Sequence, residues 1–401
     1  MNPCPYRKQC GSCSGMNEEY DLTLKRKREE VRQLTGTQMV EPVIGMKDPG
    51  HYRCKVFAAF HKNRRNQMTA GMYEEESHTV VPVIDCAIQH PLANKILQQI
   101  CHIADSMHLD AYDEDRGTGT LRYVYIRVSH ALNKAMVVIV IGSRELPGSH
   151  YFVQQLRQHC PEISTVVLNW NHGSDSMVLG PKFKTLWGPG TIEDRIGNVR
   201  FRISPASFYQ VNPEMTEVLY QKALKLAGIT KDSMVLDACC GIGTISLLAA
   251  KEAKQVIGVE VNARAVQDAI INAKINGIHN VQFFAADAGE FLTECDVHFD
   301  VVVMDPPRGG LSRQFCDALL QMKPERAVYV SCNPETLGRD LKILSQEYQI
   351  RKIIPVDQFP WTRHVETVCL LSKKNAKPKD CVEISVDAED YYRIKSSEKD
   401  I

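Results

Sequence analysis

The sequence has no excess of charge of either sign. Its 401 residues include 48 lysines and arginines against 48 aspartates and glutamates, so the formal net charge at pH 7 is zero. The pI is about 7.2. A protein that binds nucleic acid over a broad surface is usually basic overall. Any contact with RNA or DNA must therefore come from local clusters of positive charge.

Long apolar runs are missing as well. No stretch approaches the ~20 residues that a transmembrane helix needs, and the N-terminus lacks the apolar core of a secretory signal. These absences predict a cytoplasmic protein without a membrane anchor, and we expect it to act as a monomer. Hydrophobic residues (44%) and charged residues (24%) are in the proportions of a globular protein, and the length allows two or three domains.

Cysteine, in contrast, is abundant. A chain with 14 cysteines and no secretion signal is not expected to use them in a disulfide framework. Metal binding and catalysis are the remaining reasons for so many thiols, and the spacing of the cysteines supports both.

The apolar residues follow different rhythms in two regions. Up to about Gly190 the chain has short strand-like segments at 56–60, 135–141 and 165–168, with no strand–helix alternation. From about Ser233 strands and helices alternate, which predicts a mostly parallel sheet covered on both faces. The predicted strands of the second region are 234–237, 256–260, 281–284, 301–304, 328–330 and 367–371, and the clearest helices are 262–276 and 334–344.

We therefore expect an α/β protein with two domains and a tail. Turn residues at 186–190 mark the boundary. Residues 1–190 would form an N-terminal α+β domain, residues 191–375 a Rossmann-like domain, and the polar residues 376–401 a C-terminal tail.

A glycine-rich turn predicts the cofactor site. Residues 237–244 (DACCGIGT) follow a strand and open a helix, where Gly241 lets the backbone pass close to a ligand. Glu260 ends the next strand, where a carboxylate can accept both hydroxyls of a ribose. Ser246 replaces the third glycine of a dinucleotide motif. The pattern indicates a class I S-adenosylmethionine-binding domain; a tight turn in another class of nucleotide-binding fold is the alternative.

Two more aspartates follow predicted strands at the same edge. Asp287 lies where it can meet the amino group of an adenine, or it caps the next helix. Asp305 begins the sequence DPPRGG, in which two prolines stiffen a loop at the edge where such sheets bind ligands. Loops of this type hold planar acceptors in methyltransferases of bases and amides. Alone, this loop would indicate methylation of an exocyclic amine.

Cys332 changes that interpretation. It follows the strand 328–330 in the sequence VYVSCNP, at the same edge of the sheet. Methylation of nitrogen needs no thiolate, whereas uracil C5 cannot attack a sulfonium methyl until a thiolate has added to C6. The alternative on the pattern alone is an inert cysteine at a strand end.

The same chemistry needs a base, because the C5 proton must leave before the thiol is released. Glu366, in the sequence RHVET just before the last predicted strand, is the candidate. A single glutamate in such a place is otherwise usually a solvated surface group.

Five elements together resemble the RNA 5-methyluridine methyltransferase family. They occur in this order: SFYQVNP at 207–213, the 237–243 turn, DPPR at 305–308, SCNP at 331–334 and HVE at 364–366. The resemblance covers about residues 201–372. It implies Cys332 as the nucleophile and Glu366 as the base that removes the C5 proton.

The resemblance also implies a set of residues around S-adenosylmethionine and the target base. These residues are Gln210, Cys239, Thr244, Glu260, Asp287 and Asp305, beside the turn glycine Gly241. Cys239 replaces the aromatic residue often found at its position.

Three cysteines share one short N-terminal loop: Cys4, Cys10 and Cys13. Cys86, in DCAIQHP, could supply a fourth thiol. Four thiolates suit a structural zinc or a [4Fe–4S] cluster, and the residues alone do not choose between them. Three free surface thiols would invite oxidation. The ribosomal-RNA branch of the family resembles this arrangement and carries a [4Fe–4S] cluster, which implies these four cysteines as its ligands.

Contacts with RNA are expected from local patches. The candidates are KRKR at 25–28 on a predicted helix, HKNRR at 61–65 in a hairpin loop, and RYVYIR at 122–127, which interleaves arginine with aromatic rings. The target base must leave its stack to reach the thiol. Some family members begin with a small β-barrel RNA-binding domain, which we do not expect here because the cysteine loop starts at residue 4.

The sequence therefore predicts a 23S rRNA uracil-5-methyltransferase with an N-terminal iron–sulfur and RNA-binding domain. A tRNA uracil-5-methyltransferase and a base N-methyltransferase are alternatives. An alternative of a different class is a non-catalytic cluster-bearing module that binds RNA or senses redox state. Intact Cys332 and Glu366 argue against that last one.

Overall fold

The computed structural model describes residues 4–74, 79–173 and 177–374. The predicted tail, 376–401, lies outside the described residues. Within them, the framework is two seven-stranded sheets and one two-stranded hairpin. In this described part, no helix is both long and apolar enough to cross a membrane.

The N-terminal half is built around the first sheet. Its elements are α1 (Arg7–Cys10), α2 (Tyr20–Thr35), β1 (Lys55–Lys62), β2 (Met68–Tyr73), β3 (Val80–Pro82), α3 (Pro91–Ser106), β4 (Leu121–Ser129), β5 (Lys134–Ile141), α4 (Ser149–His159), β6 (Ile163–Trp170) and β7 (Lys182–Trp187). The strand order is β3-β2-β1-β4-β5-β6-β7. β5 and β6 are parallel and joined through α4, while the other neighbours are antiparallel.

Side chains alternate between the two faces of this first sheet and join two different cores. Val124, Ile126 and Val137 pack with α3 and α4 in one apolar cluster. Tyr125 and Val138 point the other way and pack with residues of the C-terminal half. Both faces of β4 and β5 are therefore covered. The strands predicted at 56–60, 135–141 and 165–168 are confirmed.

The C-terminal half contains the hairpin and the second sheet. Its elements are β8 (Ile192–Ile196), β9 (Val199–Ile203), α5 (Pro213–Ala227), β10 (Met234–Ala238), α6 (Thr244–Ala249), β11 (Gln255–Glu260), α7 (Ala263–Ile275), β12 (Val281–Ala285), α8 (Ala288–Glu294), β13 (Val301–Met304), α9 (Arg313–Met322), β14 (Arg326–Ser331), α10 (Pro334–Leu344), β15 (Tyr348–Val356) and β16 (Glu366–Lys373). The strand order is β12-β11-β10-β13-β14-β16-β15.

The second sheet is mostly parallel, as predicted. Its first five strands in spatial order are parallel, and β16 runs antiparallel between β14 and β15. The chain leaves β10 towards β11 and returns on its other side as β13, which opens a crevice at the carboxyl edge. The sequence did not predict β15, because the polar residues of its first half interrupt the apolar run.

The N-terminal segment packs on the second sheet rather than on the first. α2 buries Thr23, Lys27, Val31 and Thr35 at intervals of four, so one narrow stripe faces the protein. The C-terminal part of this stripe lies against α10, where a Cβ on Gly338 would come within 2.1 Å of a carbonyl oxygen of α2. The chain after α2 then forms two β-bridges to β15.

Candidate active site

The crevice at the carboxyl edge of the second sheet is a cavity of about 670 Å³. Strands β11 and β16 contribute residues to it, and so do the segments that directly follow β10, β13 and β14. All the residues predicted around the cofactor and the target base line this cavity: Gln210, Cys239, Gly241, Thr244, Glu260, Asp287, Asp305, Cys332 and Glu366. The fold therefore gathers five separate sequence motifs in one place.

The turn between β10 and α6 places backbone atoms, not covered by side chains, at the cavity wall. Cys239, Gly241 and Gly243 have positive φ angles of 66°, 56° and 83°. Glu260 fixes this turn, because one carboxylate oxygen accepts a hydrogen bond from the Gly241 N–H at 3.1 Å. Its other oxygen accepts from the Asn262 N–H at 2.9 Å. The turn thus presents the N-terminus of α6 to a ligand.

Ser246 occupies the position of the third glycine of a dinucleotide motif, and its hydroxyl has a partner inside the protein. The Ser246 hydroxyl donates a hydrogen bond to the carboxylate of Asp237, which is fully buried at the end of β10. Burial raises the pKa of Asp237 to about 7. Ser246 therefore has a structural partner inside the chain, beneath the ligand-facing turn.

Asp287 caps a helix and also lies on the cavity wall. Its Oδ1 accepts hydrogen bonds from the Gly289 and Glu290 N–H groups at 2.8 and 3.1 Å, which caps α8. The same residue lines the cavity. Because both cap bonds use Oδ1, capping is compatible with a ligand contact through Oδ2.

The register of the second sheet places Cys332 beside Glu366. β14 and β16 are antiparallel, and Ser331 pairs with Thr367. Cys332 directly follows β14, and Glu366 is the first residue of β16, so both residues adjoin this last pair of the register. A thiol and a carboxyl group from distant parts of the chain therefore share one stretch of cavity wall.

The surroundings of the Cys332 thiol and the Glu366 carboxyl group disfavour their charged forms. Burial, followed by repulsion from Glu366 and Asp305, raises the pKa of the Cys332 thiol to about 11, and Arg308 acts in the opposite direction. Burial and then Asp305 raise the pKa of Glu366 well above its ordinary value, again opposed by Arg308. Asp305 itself has its pKa raised to about 7, mainly by burial.

The Glu366 side chain is also unsatisfied. It is 3% exposed, and its Oε2 has no hydrogen-bond partner among the described residues. Buried polar atoms are nearly always paired, so an exception at a cavity wall calls for a partner from outside the chain. A carboxyl group with a raised pKa in a cleft is a candidate for proton transfer.

Arg308 is a positive charge that acts on both Cys332 and Glu366. Its Nη2 donates a hydrogen bond to Nδ1 of His364 at 3.0 Å. Burial, and then Arg308 itself, lowers the pKa of His364, so the neutral imidazole is the form that accepts this bond. The Arg308 carbonyl oxygen accepts hydrogen bonds from Asn333 and Thr336, both at 3.3 Å. The arginine is thus held between the SCNP and HVE motifs.

A second cavity, of about 530 Å³, adjoins the first. Gln210, Arg308, Cys332 and Glu366 line both cavities. The remaining wall of the second cavity includes the four predicted metal ligands, Cys4, Cys10, Cys13 and Cys86. The thiol and carboxyl pair therefore lies where the two cavities meet.

The four cysteines share a cavity, but they do not form a ready single-ion site. Among residues 4–74, 79–173 and 177–374, no group of three or more His, Cys, Asp or Glu side chains could hold a metal ion. Burial, together with the neighbouring thiols of Cys86, Cys10 and Cys4, raises the pKa of Cys13 to about 12. The structure by itself does not support a metal centre.

The predicted RNA-contact patches are only partly at the surface. Arg64 and Arg65 are exposed in the turn between β1 and β2. Lys27, in contrast, is completely buried, and Arg122 and Arg127 are each 3% exposed. All three donate hydrogen bonds inside the protein. The prediction that these three side chains contact RNA is wrong, because their elements are covered by other parts of the fold.

Sequence reasoning also missed several residues around the cavities. Phe208 is 62% exposed and lines both cavities, yet it had no role in the prediction. An aromatic residue inside the SFYQVNP motif was the available signal. Asp357 and Gln358 follow β15 and are completely buried, and no sequence pattern distinguished them from solvated polar residues.

Comparison with known proteins gives a consistent result. The family model for tRNA (uracil-5-)-methyltransferases matches residues 19–374. A protein of Halalkalibacterium halodurans, named an uncharacterized RNA methyltransferase, is 40% identical over 383 residues, which cover 93% of this chain and 83% of that protein. A protein of the same description from Caldanaerobacter subterraneus is 39% identical over 383 residues, with 93% and 84% covered.

A solved structure is similar over most of its length. The tRNA (uracil-54, C5)-methyltransferase of Pyrococcus abyssi, in complex with S-adenosyl-L-homocysteine, has a TM-score of 0.76 and 27% sequence identity to this chain. The similarity covers 90% of this chain and 85% of that one. It therefore extends over both sheets.

Proposed function

This chain belongs to the tRNA (uracil-5-)-methyltransferase family, and on that basis we propose that it transfers a methyl group from S-adenosylmethionine to C5 of a uridine in RNA. One observation carries the proposal: Cys332 and Glu366 lie side by side at the junction of two cavities. Methylation of a nitrogen would need neither the thiol nor a base that removes a proton from carbon.

The larger cavity suits S-adenosylmethionine, whose demethylated product is bound in the relative from Pyrococcus abyssi. Glu260 would accept hydrogen bonds from the ribose hydroxyls, and Asp287 would meet the adenine. The turn around Cys239 and Gly241 would hold the cofactor at the N-terminus of α6, near Thr244. When bound, the cofactor supplies an electrophilic methyl group on a sulfonium.

The residues at the junction would perform the remaining steps. The Cys332 thiolate adds to uracil C6, and the electrons of the C5–C6 double bond move into an enolate. C5 would then bond to the methyl group as the methyl–sulfur bond breaks, and the electron pair of that bond would stay on sulfur in S-adenosylhomocysteine. Glu366 removes the C5 proton, the C5–C6 double bond re-forms, and the C6–S bond breaks to return the thiolate. Gln210 and Asp305 line the wall where the base would lie.

The electrostatics fit this order of events. A thiol with a pKa of about 11 is mostly protonated at neutral pH, so thiolate formation needs help from a cation or from the bound base. Arg308 is the positive group that favours it. The raised pKa of Glu366 means that its carboxyl group must lose its own proton before the last step; once ionised, the carboxylate is a stronger proton acceptor.

Trapping with 5-fluorouracil RNA tests the nucleophile. Fluorine at C5 cannot leave as a proton, so the wild-type protein should form an adduct that survives denaturation. Cys332→Ala should form none, whereas Cys295→Ala, which removes a half-buried thiol elsewhere, should behave as wild type. Failure of the wild-type protein to form any adduct would contradict the covalent mechanism.

A Glu366→Gln variant tests the base. The amide cannot accept the C5 proton, so methylated RNA should accumulate as an undischarged adduct on Cys332. Incorporation of labelled methyl into the protein–RNA band on a denaturing gel measures this species. Normal turnover by the variant would remove Glu366 from the mechanism.

We propose 23S rRNA as the substrate, with tRNA as the second candidate. The four-cysteine pattern, which resembles the ribosomal branch of the family, supports rRNA. The similarity to a tRNA (uracil-54, C5)-methyltransferase supports tRNA. Methylation of unmodified 23S rRNA and tRNA transcripts under identical conditions should favour the rRNA. Preference for the tRNA transcript would overturn the assignment. Mapping of 5-methyluridine in rRNA from a deletion strain would then locate the modified uridine.

We also propose that Cys4, Cys10, Cys13 and Cys86 hold a [4Fe–4S] cluster. Two features support this: the four thiols line one cavity, and the set is all sulfur. A cubane binds each thiolate through a different iron, so its ligands need not converge on a single point. Anaerobically purified protein should be brown and contain iron and sulfide, and Cys13→Ser should lose both. Colourless protein with stoichiometric zinc would refute the cluster.

A further inference from the structure

The loop at 357–364 joins β15 to β16 and touches three parts of the active site. Gln358 Nε2 donates a hydrogen bond to Gln210 Oε1 at 3.3 Å. At the other end of the loop, His364 accepts the hydrogen bond from Arg308. Glu366 follows two residues later, at the start of β16. The position of this loop therefore affects the residues at the junction of the two cavities.

One lysine from α2 binds both ends of the 357–364 loop. Lys27 Nζ donates hydrogen bonds to Asp357 Oδ1 at 2.6 Å, to the Phe359 carbonyl at 3.1 Å and to the His364 carbonyl at 2.7 Å. An ammonium group has three hydrogens, and these three acceptors use them all. The first and last residues of the loop are thus held by a single atom.

The ion pair is fully removed from water. The side chains of Lys27 and Asp357 have no exposed surface. The second oxygen of Asp357 accepts a hydrogen bond from the Tyr20 hydroxyl at 2.7 Å. Burying two charges is costly even when they are paired, and apolar residues of similar volume would often give equal or better stability. Such a pair is better explained by the geometry it imposes on the loop.

Other contacts link the loop to the same N-terminal segment. The Gly15 N–H donates to the Trp361 carbonyl at 2.8 Å, and the Tyr52 hydroxyl donates to the Pro360 carbonyl at 3.0 Å. Trp361 Nε1 in turn donates to the Pro49 carbonyl at 2.9 Å. These contacts fix the middle of the loop, whereas Lys27 fixes its ends.

We propose that Lys27 is a positioning residue, which aligns Glu366 for removal of the C5 proton by holding the 357–364 loop at both ends. The proposal rests on the proposed function, since it assigns Lys27 to the last step of that reaction. Cys332 lies after β14, on a different element from the loop. Arg308, which favours the thiolate, is also held outside the loop, because its carbonyl accepts hydrogen bonds from Asn333 and Thr336. Loss of Lys27 should therefore slow the Glu366 step more than the formation of the covalent adduct.

The Lys27→Met variant tests this separation of steps. Without the ammonium group, the His364 carbonyl loses its donor, and the Phe359 carbonyl keeps only the hydrogen bonds from Thr362 within the loop. The ends of the loop are then no longer tied to α2, so Glu366 can move away from C5. The proton then leaves slowly, so the C6–S bond persists in a methylated adduct. A displacement of about 1 Å can slow a step by roughly 100-fold. In single-turnover experiments, adduct decay should slow by about 10- to 100-fold, while adduct formation changes much less.

Two further variants separate positioning from stability. Lys27→Met with Asp357→Asn removes the unpaired carboxylate that Lys27→Met alone leaves buried, so it should recover thermal stability. It should still resolve the adduct slowly, because the carbonyl contacts remain absent. Arg122→Met breaks another ion pair, between the buried Arg122 of β4 and the partly buried Glu114. It should lower the melting temperature without increasing the adduct lifetime.

The outcomes also distinguish this inference from the proposed function. If the wild-type protein forms neither adduct nor 5-methyluridine, the proposed function fails. If the wild-type protein turns over and the folded Lys27 variants discharge their adduct at the wild-type rate, the role of Lys27 is refuted alone. Equal slowing of adduct formation and decay in both Lys27 variants would likewise refute positioning of Glu366.

Discussion

At the scale of single residues, the junction of the two cavities concentrates acidic groups around one fixed cation. Cys332, Glu366 and Asp305 all have raised pKa values, and burial is the largest cause for each. Arg308 opposes the shift of the first two. A negative charge on either the thiol or the carboxyl group therefore disfavours ionisation of the other. This suits the proposed mechanism, in which the two groups act one after the other.

The reactivity of Cys332 should follow its raised pKa. Only the thiolate reacts with iodoacetamide, so the alkylation rate should rise about tenfold per pH unit until the pH reaches about 11. Asp305→Asn should shift this profile to lower pH, and Arg308→Met should shift it to higher pH. Mass spectrometry of the peptide that contains Cys332 measures the rate. A plateau near the ordinary pKa of cysteine would contradict the effect of burial.

Glu366 should destabilise the fold increasingly as pH rises. At a pH below its ordinary pKa the carboxyl group is neutral in both the folded and the unfolded chain, and its ionisation has no effect on stability. Above that pH the unfolded chain ionises while the folded protein keeps its proton, so the free energy of unfolding falls as pH rises towards the folded pKa. Glu366→Gln removes this effect and should raise the melting temperature more at pH 8 than at pH 5.

An exposed glutamate provides the control for that experiment. Glu145 lies at the surface of the first half, so Glu145→Gln should change the melting temperature little at either pH. An equal gain from Glu366→Gln at both pH values would show that the carboxyl group is not shifted.

At the scale of elements, the inserted strand β16 assembles the site. A sheet with only parallel strands would bring strand ends to the carboxyl edge, but β16 brings its start there because it runs antiparallel. Helix starts support the same motifs: Asn212 caps α5 and Asn333 caps α10, each followed by proline in the first turn. The asparagine–proline pairs in SFYQVNP and SCNP are thus explained as helix N-termini.

The contact between α2 and α10 should tolerate no added side chain. A methyl group on Gly338 would lie 2.1 Å from the Leu34 carbonyl oxygen, so Gly338→Ala must push the two helices apart. Overpacking of this kind costs about 1–3 kcal/mol, which exceeds the gain in helix propensity. Chemical denaturation measures the loss. Lys342→Ala, at an exposed position of the same helix, should change stability by less than about 0.5 kcal/mol.

At the scale of the whole molecule, one apolar cluster joins the two halves. Tyr125 and Val138 of the first sheet share it with Phe201 of the hairpin and Val301 and Val328 of the second sheet. The N-terminal segment adds a second connection, since α2 packs on α10 although it precedes the first sheet in sequence. The halves therefore cannot separate without exposing a continuous core.

Unfolding should accordingly occur in a single transition. Calorimetry, and fluorescence from Trp170 in the first sheet and Trp361 in the 357–364 loop, should report coincident midpoints, because the shared cluster couples both halves. Two well-separated transitions would contradict this coupling. A variant that weakens only the first sheet, such as Arg122→Met, should lower the common midpoint without splitting it.

The sequence alone determined the local elements and the chemistry at the strand ends. The alternation of strands and helices from β10 onwards, the turn after β10 and the positions of Cys332 and Glu366 were all predicted, because these features depend on short-range periodicity and on residue type. Parallel strands place their carboxyl ends at one edge, so the gathering of the residues predicted around the cofactor also followed from the sequence.

Only the tertiary structure decided which charges are buried and which groups meet. The KRKR run gave no sign that Lys27 is its buried member, since a lysine in a charged run has the same local sequence whether it is solvated or paired. The antiparallel register that joins Cys332 to Glu366, and the cavity that Cys332 shares with the cysteine loop, depend on contacts between residues far apart in the chain. Such contacts are set by the packing of whole elements, which local sequence patterns do not encode.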